Sequence, residues 1–213
     1  MANDAPRPRP QIEPLQVGQS GPGKKTLTAI VGVSVAVALG ISIPEDESGR
    51  HVTASVDPVT QELRVRHVSG KQYLSVYLDI VGVPTACDGL TRDAKGNRLR
   101  VGQRFTEAQC SAMLEQALIA HAEGVMRCSP GLALSTFSMV ERERQGPRFA
   151  AVSLAYNVGV SAYCGSTARR LFNERRYAAG CDALLRWNKA GGREVRGLTL
   201  RRQRERAVCL KGL

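Results

Sequence analysis

The sequence predicts an α+β protein with a small β-rich lobe, a larger α-helical lobe and a cleft between them, preceded by an apolar N-terminal helix. Three observations predict it. Residues 51–68 alternate in the two-residue period of strands. After Thr106 the apolar residues recur in the helical period instead. Ahead of both, residues 26–43 form an eighteen-residue run without a charge.

Residues 1–23 are rich in Pro, Gly and polar residues without periodicity, which predicts a disordered tail. Gly18 to Lys24 spells GQSGPGK, a near-match to a phosphate loop, but Lys25 stands where Ser or Thr is required and no strand precedes it. Residues 24–43 then read as a membrane anchor. Eighteen apolar positions just reach across a thin bilayer, Lys24 and Lys25 precede them and PEDE follows, so the N-terminus faces the cytoplasm and the rest of the chain lies outside. The run is weakly hydrophobic, because Gly32, Ser34, Ala36, Ala38, Gly40 and Ser42 alternate with larger residues. A helix of this composition leaves a membrane at modest cost. A cleaved signal peptide and a buried core helix are the competing readings.

Residues 44–213 form one domain in this reading. HVTASVD, PVTQ and ELRVRHV make a hairpin over residues 51–68, strand character continues from Tyr73 to Cys87, and DAKGN at 93–97 is a turn. Thr106 and Gln109 make a capping box, after which Cys110, Met113, Leu114, Ala117, Leu118 and His121 share one helical face. Further helices are expected to start near Pro147, Ser166 and Arg176, with a last one from about Thr199 to Leu210.

Thirty Lys and Arg against nineteen Asp and Glu give a net charge of +11, which calls for an anionic partner: nucleic acid, a lipid surface or a cell-wall polymer. Aromatic residues are only 5%, too few for a base-stacking platform, so nucleic acid is not the expected partner. The arginines at 196, 201, 202, 204 and 206 read either as a solvated helix face or as a handle for an anionic surface. The six cysteines, Cys87, Cys110, Cys128, Cys164, Cys181 and Cys209, include no C-x-x-C pair and no neighbouring His, which argues for disulfides in an oxidising compartment and against a zinc site. There is no G-x-S-x-G, and His51, His67 and His121 fit no triad or metal spacing; His121 reads as a packing residue. No metal or cofactor is expected, and the chain is expected to be a monomer.

DIVGVPTACDGLT, residues 79–91, resembles the Asp-containing β-lobe motif of phage lysozymes of the T-even type, glycoside hydrolase family 24, and more closely that of the signal-anchor-release endolysins of lambdoid phages. TEAQCSAMLEQAL, LAYNVGV and CDALLRWNKAGGREVRGLTLRRQRERAVCL resemble the same family, in order. The resemblance implies a muramidase that cuts the glycan of peptidoglycan and lyses the host, first held in the inner membrane facing the periplasm and then soluble there after release. It implies a Glu as general acid, Asp79 to position or activate water, and Thr85 to hold that water. Hydrolysis of a glycoside needs one carboxyl to protonate the leaving oxygen and another kept ionised.

The family places its Glu nine positions before the Asp, and here that position is Gly70. A hairpin inserted at about 51–68 resolves the conflict and makes Glu47, followed by Ser48 and Gly49, the first candidate, with Glu45 and Glu62 behind it. Asp57 could replace Asp79 but lies in a turn-forming DPVT. Asp88 is a third acid that either perturbs the site or faces solvent. Pro84 and Leu90 depart from the residues common in the family and leave the substrate contacts near Thr85 open. The resemblance also implies the pairs Cys87–Cys110, Cys128–Cys164 and Cys181–Cys209. An inactive wall-binding protein, a single-acid lytic transglycosylase and a basic nucleic-acid-binding protein, which explains the charge but neither the anchor nor the paired cysteines, are the alternative functions.

Overall fold

The computed structural model describes residues 25–79 and 82–213; the tail assigned to residues 1–23, and Lys24, lie outside them. The uncharged run forms two helices, α1 (Leu27–Val31) and α2 (Val33–Ser48). They break at Gly32, whose φ of 82° is open to glycine and strained for other residues. Leu27, Val31, Val35, Leu39 and Ile43 are all buried in the hydrophobic core. Among the described residues no helix is long and apolar enough to cross a membrane. The composition that suits a bilayer serves here as the inner face of a helix pair.

The hairpin expected over residues 51–68 forms. β1 (His51–Val56) and β2 (Leu63–Ser69) pair antiparallel from Val56↔Leu63 to Val52↔His67. Asp57 closes its turn by accepting the N–H groups of Val59 and Thr60, both at 2.9 Å, and those bonds lower its carboxyl to about 2. That role separates Asp57 from catalysis. The hairpin backs directly onto α2. A Cβ on Gly40 would stand 3.0 Å from Leu63 and 3.1 Å from Ala54, so the bare backbone lets helix and sheet close up.

The outer edge of β2 meets α3 (Glu107–Cys128), which starts at the expected capping box of Thr106 and Gln109. The N–H of Leu63 donates to Glu115 Oε1 at 3.1 Å, that of Val65 to Ser111 Oγ at 2.9 Å, and that of His67 to Glu107 Oε1. Four helical residues rise roughly 6 Å and two strand residues roughly 6.6 Å, so side chains at i, i+4 and i+8 keep step with alternate strand N–H groups. An edge that would otherwise template aggregation is thereby satisfied. Glu115 also accepts the N–H of Leu27 at 3.4 Å, and Thr28 Oγ1 donates to the carbonyl of Gln61 at 2.9 Å, which fastens α1 to the same corner.

The rest of the β-lobe is the short pair β3 (Tyr77–Leu78) and β4 (Pro84–Thr85), with Tyr77 opposite Thr85, and the turn at 93–97 is closed by Asp93. The helical lobe follows: α4 (Ser138–Val158), α5 (Val160–Cys164), α6 (Thr167–Asn173), α7 (Tyr177–Ala183), the small hairpin β5 (Lys189–Ala190) and β6 (Arg193–Glu194), and α8 (Arg196–Leu210). Ser166 caps α6, and α7 begins after Arg176, as the sequence predicts. The helix expected to begin near Pro147 begins instead at Ser138 and carries Pro147 in its interior. The fully buried Arg148 pairs with Glu141 of the same helix at 2.6 Å and reaches out of it to donate to the carbonyl of Val31 at 3.1 Å, so it also holds the end of α1. Burial alone would push the Glu141 carboxyl up, but Arg148 holds it below its ordinary value.

The gap between α4 and α8 is closed at Gly146, where a Cβ would meet the carbonyl oxygens of Cys209 and, at 2.8 Å, Val208. Gly146→Ala is therefore expected to lose about 1–3 kcal/mol, measured by denaturant unfolding, because backbone cannot step aside as a side chain can. All three cysteine pairs implied by the family resemblance form: Cys87–Cys110 joins β-lobe to α3, Cys128–Cys164 joins α3 to α5, and Cys181–Cys209 joins α7 to α8. Replacing Cys128 and Cys164 together, which opens a 36-residue separation, is expected to cost about 2–4 kcal/mol in the same measurement.

Candidate active site

Glu47 occupies the last turn of α2, which Gly49 ends in a left-handed conformation (φ 70°) with its N–H on the carbonyl of Glu45 at 3.1 Å. The Glu47 side chain is 22% exposed and meets Arg201 of α8, with Nη1 2.5 Å from Oε1. Its other oxygen lies against the β-lobe, 3.3 Å from where a Cβ on Gly89 would be. The carboxyl therefore stands at the junction of the two lobes, clamped on one side and close to bare backbone on the other.

Asp79 ends β3. Its N–H donates to the carbonyl of Val83 at 3.0 Å and its Oδ1 accepts the N–H of Val83 at 2.8 Å, so a tight loop fixes the carboxyl; Ile80 and Val81 within that loop lie outside the described residues. Thr85 is 4% exposed, and its hydroxyl donates to the carbonyl of Val83 at 3.0 Å. One side chain senses both acids: the Tyr77 phenol is pushed up by burial first, then by Tyr73, Asp79 and Glu47. Buried Tyr156 is likewise pushed up, by burial and then by the charges of Glu47 and Asp88.

The other candidates fall elsewhere. Glu45 is exposed on α2. Glu62 lines the groove between β2 and α3 with Ser111 and Glu115. Asp88 neither faces solvent nor acts as a loose third acid: it is fully buried and bidentate with Arg50, both contacts at 2.7 Å, and it accepts from Ser48 Oγ at 3.0 Å. Leu90 is buried, and Pro84 is half-buried in β4.

The C-terminal arginines correct the sequence reading more strongly. Arg201 and Arg202 are buried, not solvated, and Glu205 sits between them at 3.2 and 2.8 Å. Burial works against the Arg201 cation, yet Glu47 and Glu205 hold its proton more tightly than usual. Arg204 pairs with Asp46 and Arg206 with Asp182 at the surface, so four of the five arginines carry an acid partner, two of them buried and two solvated, and none of the four is a free handle for an anionic surface. The role of Arg201 escaped sequence reasoning, although its spacing of four from Glu205 on one helix was a usable sign of a paired, inward face.

Beside Gly89 a groove of about 590 Å³ runs along Thr91, Asp93, Gln116, His121 and Tyr156. His121 Nδ1 lies 2.7 Å from the carbonyl of Ala117, and its ring tilts against Tyr156 at 5.0 Å, so it packs and also forms groove wall. Among the described residues no cluster of His, Cys, Asp and Glu is arranged to hold a metal ion.

An acid at the junction of the lobes, a second acid on the β-lobe and a groove beside Gly89 make an arrangement suited to cutting a chain of sugars. Residues 69–205 match the phage lysozyme family, a span that holds Asp79, Thr85 and Arg201 and leaves Glu47 outside. The chain is 35% identical over 145 residues to the SAR-endolysin of Enterobacteria phage PA-2, covering 68% of this chain and 79% of the relative. It is 34% identical over 147 residues to the endolysin of Salmonella phage P22, covering 69% and 92%. A P22 lysozyme mutant superposes with a TM-score of 0.56 at 28% identity, covering 80% of this chain and 94% of that one. The active form of the P1 phage endolysin Lyz superposes with 0.57 at 18% identity over 86% and 96%, a likeness of fold alone. The chain belongs to the phage lysozyme family.

Proposed function

We propose that this lysozyme hydrolyses the bond between N-acetylmuramic acid and N-acetylglucosamine in peptidoglycan and thereby lyses the host cell. Glu47 is the general acid, Asp79 activates the attacking water and Thr85 holds it. The observation that carries this reading is the placement of Glu47, held by Arg201 at 2.5 Å and turned toward the β-lobe that carries Asp79. Glu47 gives its proton to the leaving oxygen, and Arg201 steadies the carboxylate that remains. The Thr85 proton is committed to Val83, so the hydroxyl meets water only as an acceptor. A water donating one hydrogen to Thr85 and the other to Asp79 points a lone pair at the sugar carbon.

Control follows from a conflict of place. Residues 27–43 fill the core here, and Glu47 is carried on the same helix. The same residues cannot cross a membrane and complete this core at once, so the enzyme is silent while they anchor it and active in the periplasm after release. Outer-membrane-permeabilised bacteria should lose turbidity with the purified chain, and the fragments should carry reducing muramic acid ends by mass spectrometry. Anhydro ends would mean a lytic transglycosylase, and no loss of turbidity would leave a wall-binding protein.

A further inference from the structure

One end of the helical lobe turns apolar side chains to solvent. Residues 128–140, from the end of α3 into the first turn of α4, carry no charge. Within them Phe137 is 73% exposed, Met139 66% and Leu134 43%. Leu134 lies where α1 gives way to α2, 3.2 Å from where a Cβ on Gly32 would be, and the next residue, Val33, is 52% exposed. Isolated apolar residues on a surface need no explanation, but a group of them calls for a partner. The backbone beneath this group is held. Arg148 donates to the carbonyls of Leu132 at 2.6 Å and Ala133 at 3.1 Å, and Arg144 to that of Ala133 at 3.2 Å. The N–H of Ser135 donates to Glu141 Oε2 at 3.0 Å and that of Phe137 to Ser135 Oγ at 3.2 Å. A ring left outside by a segment pinned in this way is presented to solvent by the fold. Cations stand beside it. Exposed Arg142 follows Met139 by one turn of α4, and a Cβ on Gly212 would stand 3.5 Å from its side chain, which brings exposed Lys211 to the same corner. Arg175 and Arg176 line a shallow groove there with Glu143 and Leu213.

We propose that the folded enzyme docks on an anionic phospholipid surface through this face, with Phe137 and Met139 entering the headgroup layer and the cations meeting lipid phosphates. An uncharged centre with cations at its margin is the chemistry of an interfacial lipid contact. A second copy of the chain fits the face less well. Each copy carries +11 and the same cationic margin, so pairing the face with itself sets like charges together. The geometry also gives the contact a use. α2 and α4 both start at this end and both finish at the cleft, α2 with Glu47 and α4 with Tyr156 on the carbonyl of Asp88. Val33 and Glu47 are fourteen residues apart on α2, about 20 Å of helix. A docked enzyme therefore holds its cleft off the bilayer, on the side away from the lipid. Docking stands independently of the hydrolase reading. What it adds to that reading is that an enzyme released from the bilayer stays on its surface with the cleft turned to the wall.

Flotation of the full chain with vesicles of phosphatidylethanolamine and phosphatidylglycerol tests this, with phosphatidylcholine vesicles as the neutral arm. The wild type should float with the anionic vesicles and less with the neutral ones. Phe137→Ser with Met139→Ser should lower its partition coefficient about tenfold. Both side chains are exposed and serine is itself a good helix N-cap, so thermal unfolding should not move. Arg142→Gln with Lys211→Gln should cost about tenfold on anionic vesicles only, at roughly 1 kcal/mol for each cation near the surface. Val59→Ser with Val101→Ser, which removes exposed apolar residues from the β-lobe instead, should change nothing. Flotation that survives the loss of Phe137 and Met139 belongs to insertion of residues 26–43 and overturns the proposal, as does an equal loss with the β-lobe pair. A wild type that does not float, but sediments as a dimer until Phe137 and Met139 are replaced, makes the face a contact between copies and overturns it too. Cleavage of sacculi is measured on the same preparations. A wild type that floats as expected but cuts no sacculi upholds docking and rejects the hydrolase reading alone.

Discussion

Glu47→Gln should leave a folded protein whose rate of wall cleavage is lower by about 10²–10⁴-fold, the usual contribution of a positioned general acid. The amide matches the carboxyl in size but cannot give up a proton to the leaving oxygen. Arg201 would not be stranded by the change, because Glu205 Oε1 at 3.2 Å and Asp46 Oδ2 at 3.3 Å remain beside it. Thermal unfolding should therefore move little while turnover collapses, and that split separates a chemical role from a structural one. Turbidity loss by Glu47→Gln at the wild-type rate would remove Glu47 from the mechanism. Glu45→Gln and Glu62→Gln then become the deciding variants, and both are expected to be near wild type, since one residue is exposed and the other faces the β2–α3 groove.

How much of this was legible in the sequence depended on whether a signal was local. The hairpin, the capping box of α3 and the Ser166 cap are local patterns of period or spacing, and each appears where the residues predict it. Glu47 became a candidate only through the family resemblance, in which the acid closes a helix and a glycine follows; Gly49 does end α2 in a left-handed conformation. Partners distant in sequence were not legible. Nothing in RGLTLRRQRERAVCL says that Arg201 will lie against a carboxyl 154 residues away, and a row of arginines looks solvated until its acids are found. Asp88 was misjudged for the same reason, its partner Arg50 lying on the far side of the hairpin in sequence. Pro147 misled because proline favours a first turn but is tolerated inside a helix when packing compensates. The uncharged run 26–43 was ambiguous in kind, since apolar helices suit lipid and protein interiors alike. Gly32, which splits it, and Gly40, which lets it press on Leu63 and Ala54, belong to its fit within the fold.

Asp88→Ala is expected to be the most damaging single change outside the catalytic acids. It would leave Arg50, whose side chain is 5% exposed, as a buried cation without its bidentate partner. Removing one member of a buried pair costs about 3–5 kcal/mol, which for a chain of this size lowers Tm by on the order of 10 °C. The loss should also reach catalysis. Asp88 adjoins Gly89, which abuts Glu47, its backbone carbonyl accepts from Tyr156 at 3.1 Å, and its carboxylate holds Ser48 in the last turn of α2. Loosening it frees the carrier of the acid from the lobe that carries Asp79. The double change Arg50→Met with Asp88→Leu separates the two consequences, because it removes both charges and leaves neither stranded. It should recover much of the stability lost in Asp88→Ala, since two apolar side chains replace a pair whose desolvation was itself costly. Activity should not recover with it, because the bond to Ser48 is still missing. If Asp88→Ala unfolds within about 0.5 kcal/mol of the wild type, the range of ordinary surface changes, this pair is not what joins the lobes.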